Sequence, residues 1–407
     1  MRPLAQSPTS TILILCAAEG LALIGVFAFP ALLPTFRTAW TLSNADAGWI
    51  AGIYFLGYAL AVPVLTSLTD RLDARRVFLA GAALCALANG AFGLLAEGLW
   101  SGMLFRFLGG VGLAGVYMPG LKALVDRVTG AARARAISFY TASFSLGTML
   151  SFLIIGEMGE RFGWRPAFIA SAVAAGLGFL LVLGLAPVPP QSGRPAGGLL
   201  DFRPVLRNRP AMGYILGYFA HMWELFTYRA WVVAFLAFAQ SRDPAPWGWS
   251  PTSVATISAL VAMAASLGGA DLALRFDRRR VCALAMLASG GTALVFGLSA
   301  ALPYWLAAVA AVLYSGLIQI DSAALTTGAM LEASEGRQGA TVALHSLLGF
   351  SAAFFGPLSQ GAILDAVGGA GLLSAWVVAF AVNGVIGLLG PLALLWSRRQ
   401  PALRVSS

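Results

Sequence analysis

Apolar residues in this chain run in long blocks rather than alternating with polar ones. A helix needs roughly 20 mainly apolar residues to cross a bilayer. Twelve blocks reach that length: 11–33, 47–68, 77–96, 101–122, 136–157, 166–186, 211–238, 251–271, 281–300, 302–325, 341–362 and 371–396. Local signals mark two of the starts. In "LSNADAGW", Ser43 with Asp46 three residues on predicts an N-cap of the capping-box kind. In "WSPTSV", Pro251 directly after Ser250 suits the first position of a helix. The expected fold class is an all-α polytopic membrane protein. Its longest joint, 187–210, is rich in Pro, Gly and Arg and is expected to be a flexible linker. That joint divides the chain into an N-terminal six-span unit, 1–186, and a C-terminal one, 211–407, ending in a short tail.

Composition supports this picture: 59% of the 407 residues are hydrophobic and 11% charged, where a soluble domain has about a quarter charged. The net charge of +9 does not point to nucleic acid, because the basic residues sit in short clusters between spans rather than on one soluble face. Their placement sets an orientation instead. With twelve spans both termini share one face, and that face collects 20 of the 26 basic residues. Arg37, Arg161, Arg165 and Arg242 fall on the other face, and Arg106 and Arg229 lie inside spans. Both termini are therefore expected in the cytoplasm. Lys122 is the only lysine, and with abundant Ala and Gly this points to a GC-rich coding sequence, hence to a bacterial inner membrane. The apolar run at 11–33 is too long for a signal-peptide core and leads straight into further spans.

Cys16, Cys85 and Cys282 lie within spans without metal-ligand spacing, so neither a disulfide nor a metal is expected. The two histidines are far apart in sequence, and there is no phosphate-binding glycine loop. No cofactor and no enzymatic constellation are expected.

The charged run "TDRLDARRV" (69–77) returns as "LRFDRRRV" (274–281). At an offset of 204, Arg71, Asp73, Arg75, Arg76 and Val77 fall on Arg275, Asp277, Arg279, Arg280 and Val281. An offset of 205 puts Glu19 on Glu224 and Gly156 on Gly361, each glycine followed four residues later by an acid, Glu160 and Asp365. Two related halves explain this, and such internal repeats are typical of secondary transporters. At this point the chain resembles the major facilitator superfamily over its whole length. "SLTDRLDARRV" is similar to the signature of that family between helices 2 and 3, with Thr66 and Asp73 where glycines are usual and Ala74 inserted. "RFLGGVGLAG" (106–115) resembles the family's helix 4 motif, and "GWRPAF" (163–168) the usual start of helix 6. Helix 5, "YTASFSLGTMLSFLIIGEM", lacks the Gly-Pro pair usual in drug–proton antiporters. The resemblance implies two six-helix bundles around a central site. It also implies that Asp70, with Arg71, Arg75 and Arg76, latches a cytoplasmic gate near the start of helix 11.

Ionisable groups at membrane depth are costly and mark candidate sites. Glu19 lies roughly 12 Å in from Thr11 at about 1.5 Å per residue and is a candidate proton carrier, with Arg106 in the fourth span as its regulating partner. The seventh span carries "HMWELFTYRAW", where His221, Glu224 and Tyr228 share a helical face that Trp231 continues, with Arg229 on another flank. The expected solute site comprises His221, Glu224, Tyr228 and Arg229, with Trp223 and Tyr117. Glu224 is expected to share proton coupling with Glu19 and Arg106. Structural pairing is the competing reading of each. Asp321 and His345 are expected to meet near the cytoplasmic end, as an inner gate or second protonation site. Gln319, Asn89 and Asn383 read as helix–helix hydrogen bonds.

Together these imply an alternating-access carrier, expected as a monomer, for a small polar or anionic solute coupled to protons. Proton-driven export of amphipathic drugs is the alternative. A non-transporting sensor on the same scaffold is the alternative of another class.

Overall fold

The computed structural model of the chain describes residues 7–130, 132–189, 201–243 and 248–398. Arg2, Arg194, Arg399 and Arg404 of the basic tally, and the middle of the expected linker, lie outside the described residues. The helices are α1 (Pro8–Leu23), α2 (Ala28–Ala31), α3 (Leu33–Ala39), α4 (Asn44–Leu68), α5 (Ala74–Leu95), α6 (Leu99–Arg127), α7 (Ala132–Phe162), α8 (Trp164–Leu183), α9 (Arg203–Arg207), α10 (Arg209–Arg242), α11 (Pro251–Arg275), α12 (Arg278–Leu298), α13 (Tyr304–Gln319), α14 (Ser322–Leu331), α15 (Gln338–Ala366), α16 (Leu373–Gly387) and α17 (Leu389–Trp396). Among the described residues, eleven helices are long and apolar enough to cross a membrane, counting α13 with α14 and α16 with α17 as single crossings. The shorter apolar α1, continued by α2 and α3, makes the twelfth.

Both starts marked in the sequence form as expected. The Ser43 side chain accepts from the Asp46 N–H at 3.0 Å while an Asp46 carboxylate oxygen accepts from the Ser43 N–H at 3.2 Å, closing the capping box on α4. Ser250 caps α11, with Pro251 in its first turn. The linker is more ordered at its end than a flexible coil: α9 forms there, and Asn208 caps α10 while its amide donates to the Glu332 carbonyl at 2.7 Å.

The two charged runs clamp helix ends. Asp73 caps α5 by accepting from the Arg75 N–H at 3.0 Å. The Arg75 side chain donates to the carbonyls of Val182 (3.1 Å) and Leu183 (2.5 Å), at the end of α8. In the second run Asp277 caps α12 through the Arg280 N–H at 2.8 Å, and Arg279 donates to the Leu394 carbonyl (3.1 Å) and the Ser397 hydroxyl (2.6 Å), at the end of α17. The last carbonyls of a helix have no partner within it, so each arginine satisfies the end of the last helix in its own half. Asp73 further binds Arg127 at 3.3 Å and the Val188 N–H at 3.0 Å. The second copy is therefore a structural clamp as well as a basic loop.

Chain direction puts both described ends on one face, the basic face. Across the halves, α4 packs along α15 and α7 along α11. Toward the opposite face these seams are tight. A Cβ on Gly48 would stand 2.6 Å from the Pro357 carbonyl oxygen, and one on Gly361 would run into the Asn44 carbonyl. The repeated acids close both seams there. Asp365 accepts from the N–H groups of Asn44 (3.1 Å) and Ala45 (2.8 Å) and from the Asn44 side chain (2.6 Å), at the start of α4. Glu160 accepts from the Thr252 hydroxyl at 3.3 Å, in the first turn of α11. A helix N-terminus offers free N–H groups and favours an anion. Toward the basic face α4 and α15 part around a cleft of about 250 Å³, lined by Val62, Pro63, Thr66, Ser67, Met118, Gly339, Val342, Ala343 and Ser346.

Candidate functional site

The first crossing is broken where its prolines require it. Pro30 has no N–H, so the carbonyl four residues earlier, that of Val26, loses its helical partner. Arg106 of α6 supplies donors instead, to the carbonyls of Val26 (2.5 Å) and Gly25 (2.8 Å), and its guanidinium stacks 4.2 Å from the centre of the Tyr54 ring. From the other flank Ser151 of α7 donates to the Ile24 carbonyl at 2.6 Å and accepts from the Phe27 N–H at 3.0 Å. Arg106 is thus committed to the break and is not hydrogen-bonded to Glu19. Arg106→Ala should strand the buried Val26 carbonyl, leave that of Gly25 with only the 3.4 Å bond from the Ala28 N–H, and lower the stability by about 2 kcal/mol; Arg106→Lys, which keeps the charge but loses the fork, should recover only part of it. Thermal unfolding of the two variants in detergent checks this.

Glu19, in α1, is fully buried. One carboxylate oxygen accepts from the Ser143 hydroxyl of α7, and the other has no partner. Tyr140 is engaged with the carbonyls of Val116 and Tyr117. The hydroxyl of Tyr58, on α4, is buried without a partner, and its ring lies 4.0 Å from that of Phe350. Tyr117 is partly buried beside Phe144.

The stripe on the seventh crossing, α10, is split among several partners. Glu224 accepts from the hydroxyls of Ser289 (3.0 Å) and Tyr314 (2.9 Å), and Asn383 donates to that tyrosine at 3.2 Å. Tyr228 donates to the Ala311 carbonyl at 2.8 Å, and Trp231 to the Pro357 carbonyl at 3.0 Å. These side chains therefore point at the other helices of the C-terminal half, α12, α13, α15 and α16, rather than gathering around a shared space. Trp223 is partly buried beside Phe219. His221 faces neither Glu224 nor Tyr228: its Nδ1 lies 2.7 Å from Asp321, in the break between α13 and α14. The expected Asp321–His345 pair is replaced, because Asp321 turns to α10. His345 stacks on Tyr218 with ring centres 3.8 Å apart and meets Thr326 at 3.2 Å.

Asp70, Arg71 and Arg76 are exposed on the basic face, and Arg75 serves the α8 clamp. The latch expected between Asp70 and the start of α15 is not made in this arrangement, since the cleft separates α4 from α15 there. Gln319 is buried with its Oε1 unpartnered. The Asn89 amide packs against Gly25 at the break.

Arg229 differs from the rest of the stripe. It is 7% exposed, and among the described residues its guanidinium has no ion pair or hydrogen bond. It lies 5.5 Å from the centre of the Phe27 ring, at the break, and 5.6 Å from that of Phe226. The Phe226 ring meets Phe55 of α4 at 4.4 Å and Phe350 of α15 at 6.1 Å. Phe55 and Phe350 both lie roughly 17 Å along their helices, at about 1.5 Å per residue, near mid-membrane. One unpaired cation among aromatic rings contributed by both halves, above the cleft, is the arrangement best suited to hold a solute. Arg229 was among the sequence candidates. The rings around it were not, because aromatic residues are common in apolar spans and carry no signal of their own.

Comparison with known proteins places this arrangement. The profile of the Major Facilitator Superfamily matches residues 15–243. The niacin transporter NiaP of Acinetobacter baylyi is 28% identical over 151 residues, which cover 37% of this chain and 34% of that protein. Protein spinster homolog 3 of Danio rerio is 24% identical over 56% of this chain and 48% of its own length. The chain thus spans about a third to a half of these two relatives. A probable L-galactonate transporter of Escherichia coli is 25% identical over 90% of this chain and 84% of that protein. A crystal structure of a bacterial homolog to the human lysosomal transporter Spinster, inward-facing and occupied, superposes with a TM-score of 0.76 at 17% identity, covering 98% of this chain and all of that one; at that identity the likeness speaks for the fold. With more than half of its length inside the family profile, the chain belongs to the major facilitator superfamily and is a multi-pass membrane protein.

Proposed function

We propose that the protein carries a small organic anion across the membrane by alternating access, with proton coupling. The observation that carries this reading is Arg229. A buried charge without a partner is expensive, and an anionic solute entering from the cleft supplies the missing counter-ion. The ring cage accepts an apolar body behind the charge. The relatives that transport niacin and L-galactonate agree with a carboxylate, since both compounds are acids. Relatives with drug-related names, such as the multidrug resistance protein Stp of Mycobacterium tuberculosis at 30% identity over 42% of this chain, favour drug export as the second reading. A fixed cation in the cage disfavours the cationic amphiphiles that such a pump would take.

In this proposal residues 1–186 and 211–407 rock about the site, joined by 187–210, and the carrier works as a monomer in a bacterial cytoplasmic membrane. The basic face is cytoplasmic, which makes the cleft an inward opening. Glu19, with one free carboxylate oxygen, is the proton carrier of the N-terminal half. Proteoliposomes with a trapped pH dye test the proposal: a gradient of a small carboxylate should move protons, and the matching amide should not. Proton movement driven by cationic amphiphiles but by no carboxylate would overturn it in favour of drug export.

A further inference from the structure

The Nδ1 of His221 and a carboxylate oxygen of Asp321 are 2.7 Å apart, with the side chains 1% and 3% exposed. The contact is out of line for a hydrogen bond, and neither that nitrogen nor that oxygen has a hydrogen-bond partner among the described residues. Two bare lone pairs would repel at this distance, so the contact calls for one proton on the pair, held by the imidazole or by the acid. The other ring nitrogen of His221 is buried without a partner. Asp321 is also the N-cap residue of α14, yet its side chain makes no capping bond there. The first N–H groups of α14 have no partner within the helix, and an aspartate at this position ordinarily binds them. Asp321 therefore has two competing positions, one toward His221 and one toward the start of its own helix.

We propose that His221 and Asp321 share the coupling proton of the C-terminal half and that Asp321 is a two-position switch. With the proton present, the pair forms and ties α10 to the break between α13 and α14. When the proton leaves, Asp321 remains an anion and swings back to cap α14, where the helix N-terminus favours negative charge. The break stays, and α14 is released from its tie to α10. Because α14 packs on both α10 and α15, and α15 forms one wall of the cleft, the swing moves that wall. The pair lies close to the cleft: His221 stacks on Tyr218 with ring centres 5.7 Å apart, Tyr218 stacks on His345, and Ser346 beside His345 lines the cleft.

The groups that act on the pair from the surrounding helices are few. Glu224 and Cys282 are near enough to Asp321 to feel its charge, and His345 is near enough to His221. Glu224 is held by Ser289 and Tyr314, so it does not compete for the proton between the pair. The inference rests on proton coupling as proposed above and adds to Glu19 a second proton site, in the C-terminal half.

The chain has only two histidines, so ring-labelled histidine in the full-length protein in nanodiscs gives two sets of nitrogen signals, which His345→Gln assigns. The expected result is a hydrogen-bonded Nδ1 proton on His221 that Asp321→Asn removes, with no change at His345 of comparable size. A His221 ring with a bare Nδ1, or an unaltered one in Asp321→Asn, overturns the inference whether or not any solute is found. In transport, Asp321→Asn should keep solute exchange at equal pH and lose at least tenfold of the accumulation driven by a pH gradient. Loss of exchange and accumulation together, with His221→Gln behaving alike, would mean a purely structural pair and would also overturn it. A wild-type carrier whose transport is blind to pH would remove the coupling reading itself, and with it the switch.

Discussion

Arg229→Met should cut uptake of the transported anion by about 100-fold or more while leaving the empty protein at least as stable. The two effects have opposite signs because the guanidinium has no partner of its own. Removing one side of a buried ion pair costs about 3–5 kcal/mol, and each 1.4 kcal/mol is about tenfold in affinity, so the solute-bound state loses two to three orders of magnitude. The empty state loses only an uncompensated buried charge. Methionine fills a similar length; replacing a whole buried ion pair by apolar side chains is neutral or stabilising by about 1–4 kcal/mol, and an unpaired charge has no Coulomb attraction to lose. A structural arginine behaves otherwise: replacing Arg106, which fills the Val26 carbonyl freed by Pro30 and the Gly25 carbonyl beside it, should lower stability and transport together. Initial uptake rates at low solute, with thermal unfolding in the absence of solute, separate the cases. Arg229→Met with unchanged uptake, or with a lowered melting temperature, would show that the cage is not the anion site.

What the sequence makes legible follows the range of the interaction. The capping box of Ser43 and Asp46 and the helix start at Pro251 are local, and both form. The apolar blocks give the crossings, because a bilayer imposes one length on every span. The repeated run "TDRLDARRV" reveals two related halves, but its work lies in contacts about a hundred residues away. Arg75 and Arg279 reach the end of the sixth and twelfth crossings, and no periodicity announces that. The stripe of His221, Glu224 and Tyr228 is a helical face, as its spacing predicts, yet spacing cannot say whether a face looks toward the other half or into its own. Here it looks inward, and Arg229, on another flank, reaches the seam between halves together with Phe226. The break in the first crossing was the one non-local feature with a signal in plain view. Pro30 frees the Val26 carbonyl, and an arginine within a span is the donor best shaped to fill two adjacent carbonyls. Asp321 and His345 sit at matching depths on nearby helices, but depth does not choose between two histidines, and Asp321 pairs with the other one.

Gly361→Val should hold the carrier open toward the face opposite the basic one and reduce transport at least tenfold. Closure at that end depends on backbone meeting backbone. A Cβ at Gly361 collides with the Asn44 carbonyl, and one at Gly48 stands 2.6 Å from that of Pro357. A carbonyl in a helix cannot rotate away as a side chain can, so α4 and α15 must separate. Overpacking in a well-packed interior costs about 1–3 kcal/mol, and the whole of that cost falls on the closed state, since the open state parts the two helices. Removing the charge at the same seam is milder: Asp365→Asn weakens a cap worth about 1 kcal/mol, a shift of about fivefold in the balance of states. A reporter at Thr227→Cys, buried between this seam and the cage, in a background with Cys16, Cys85 and Cys282 changed to serine, reads the difference through a membrane-impermeant thiol reagent. It should react from the opposite face in Gly361→Val, weakly in Asp365→Asn, and hardly at all in the parent. Gly268→Val, where a Cβ meets nothing within 4 Å, should behave as the parent. If Gly361→Val leaves the reporter protected and transport intact, the seam between α4 and α15 is not the gate at that face, and the paired acids Asp365 and Glu160 are caps without a role in the cycle.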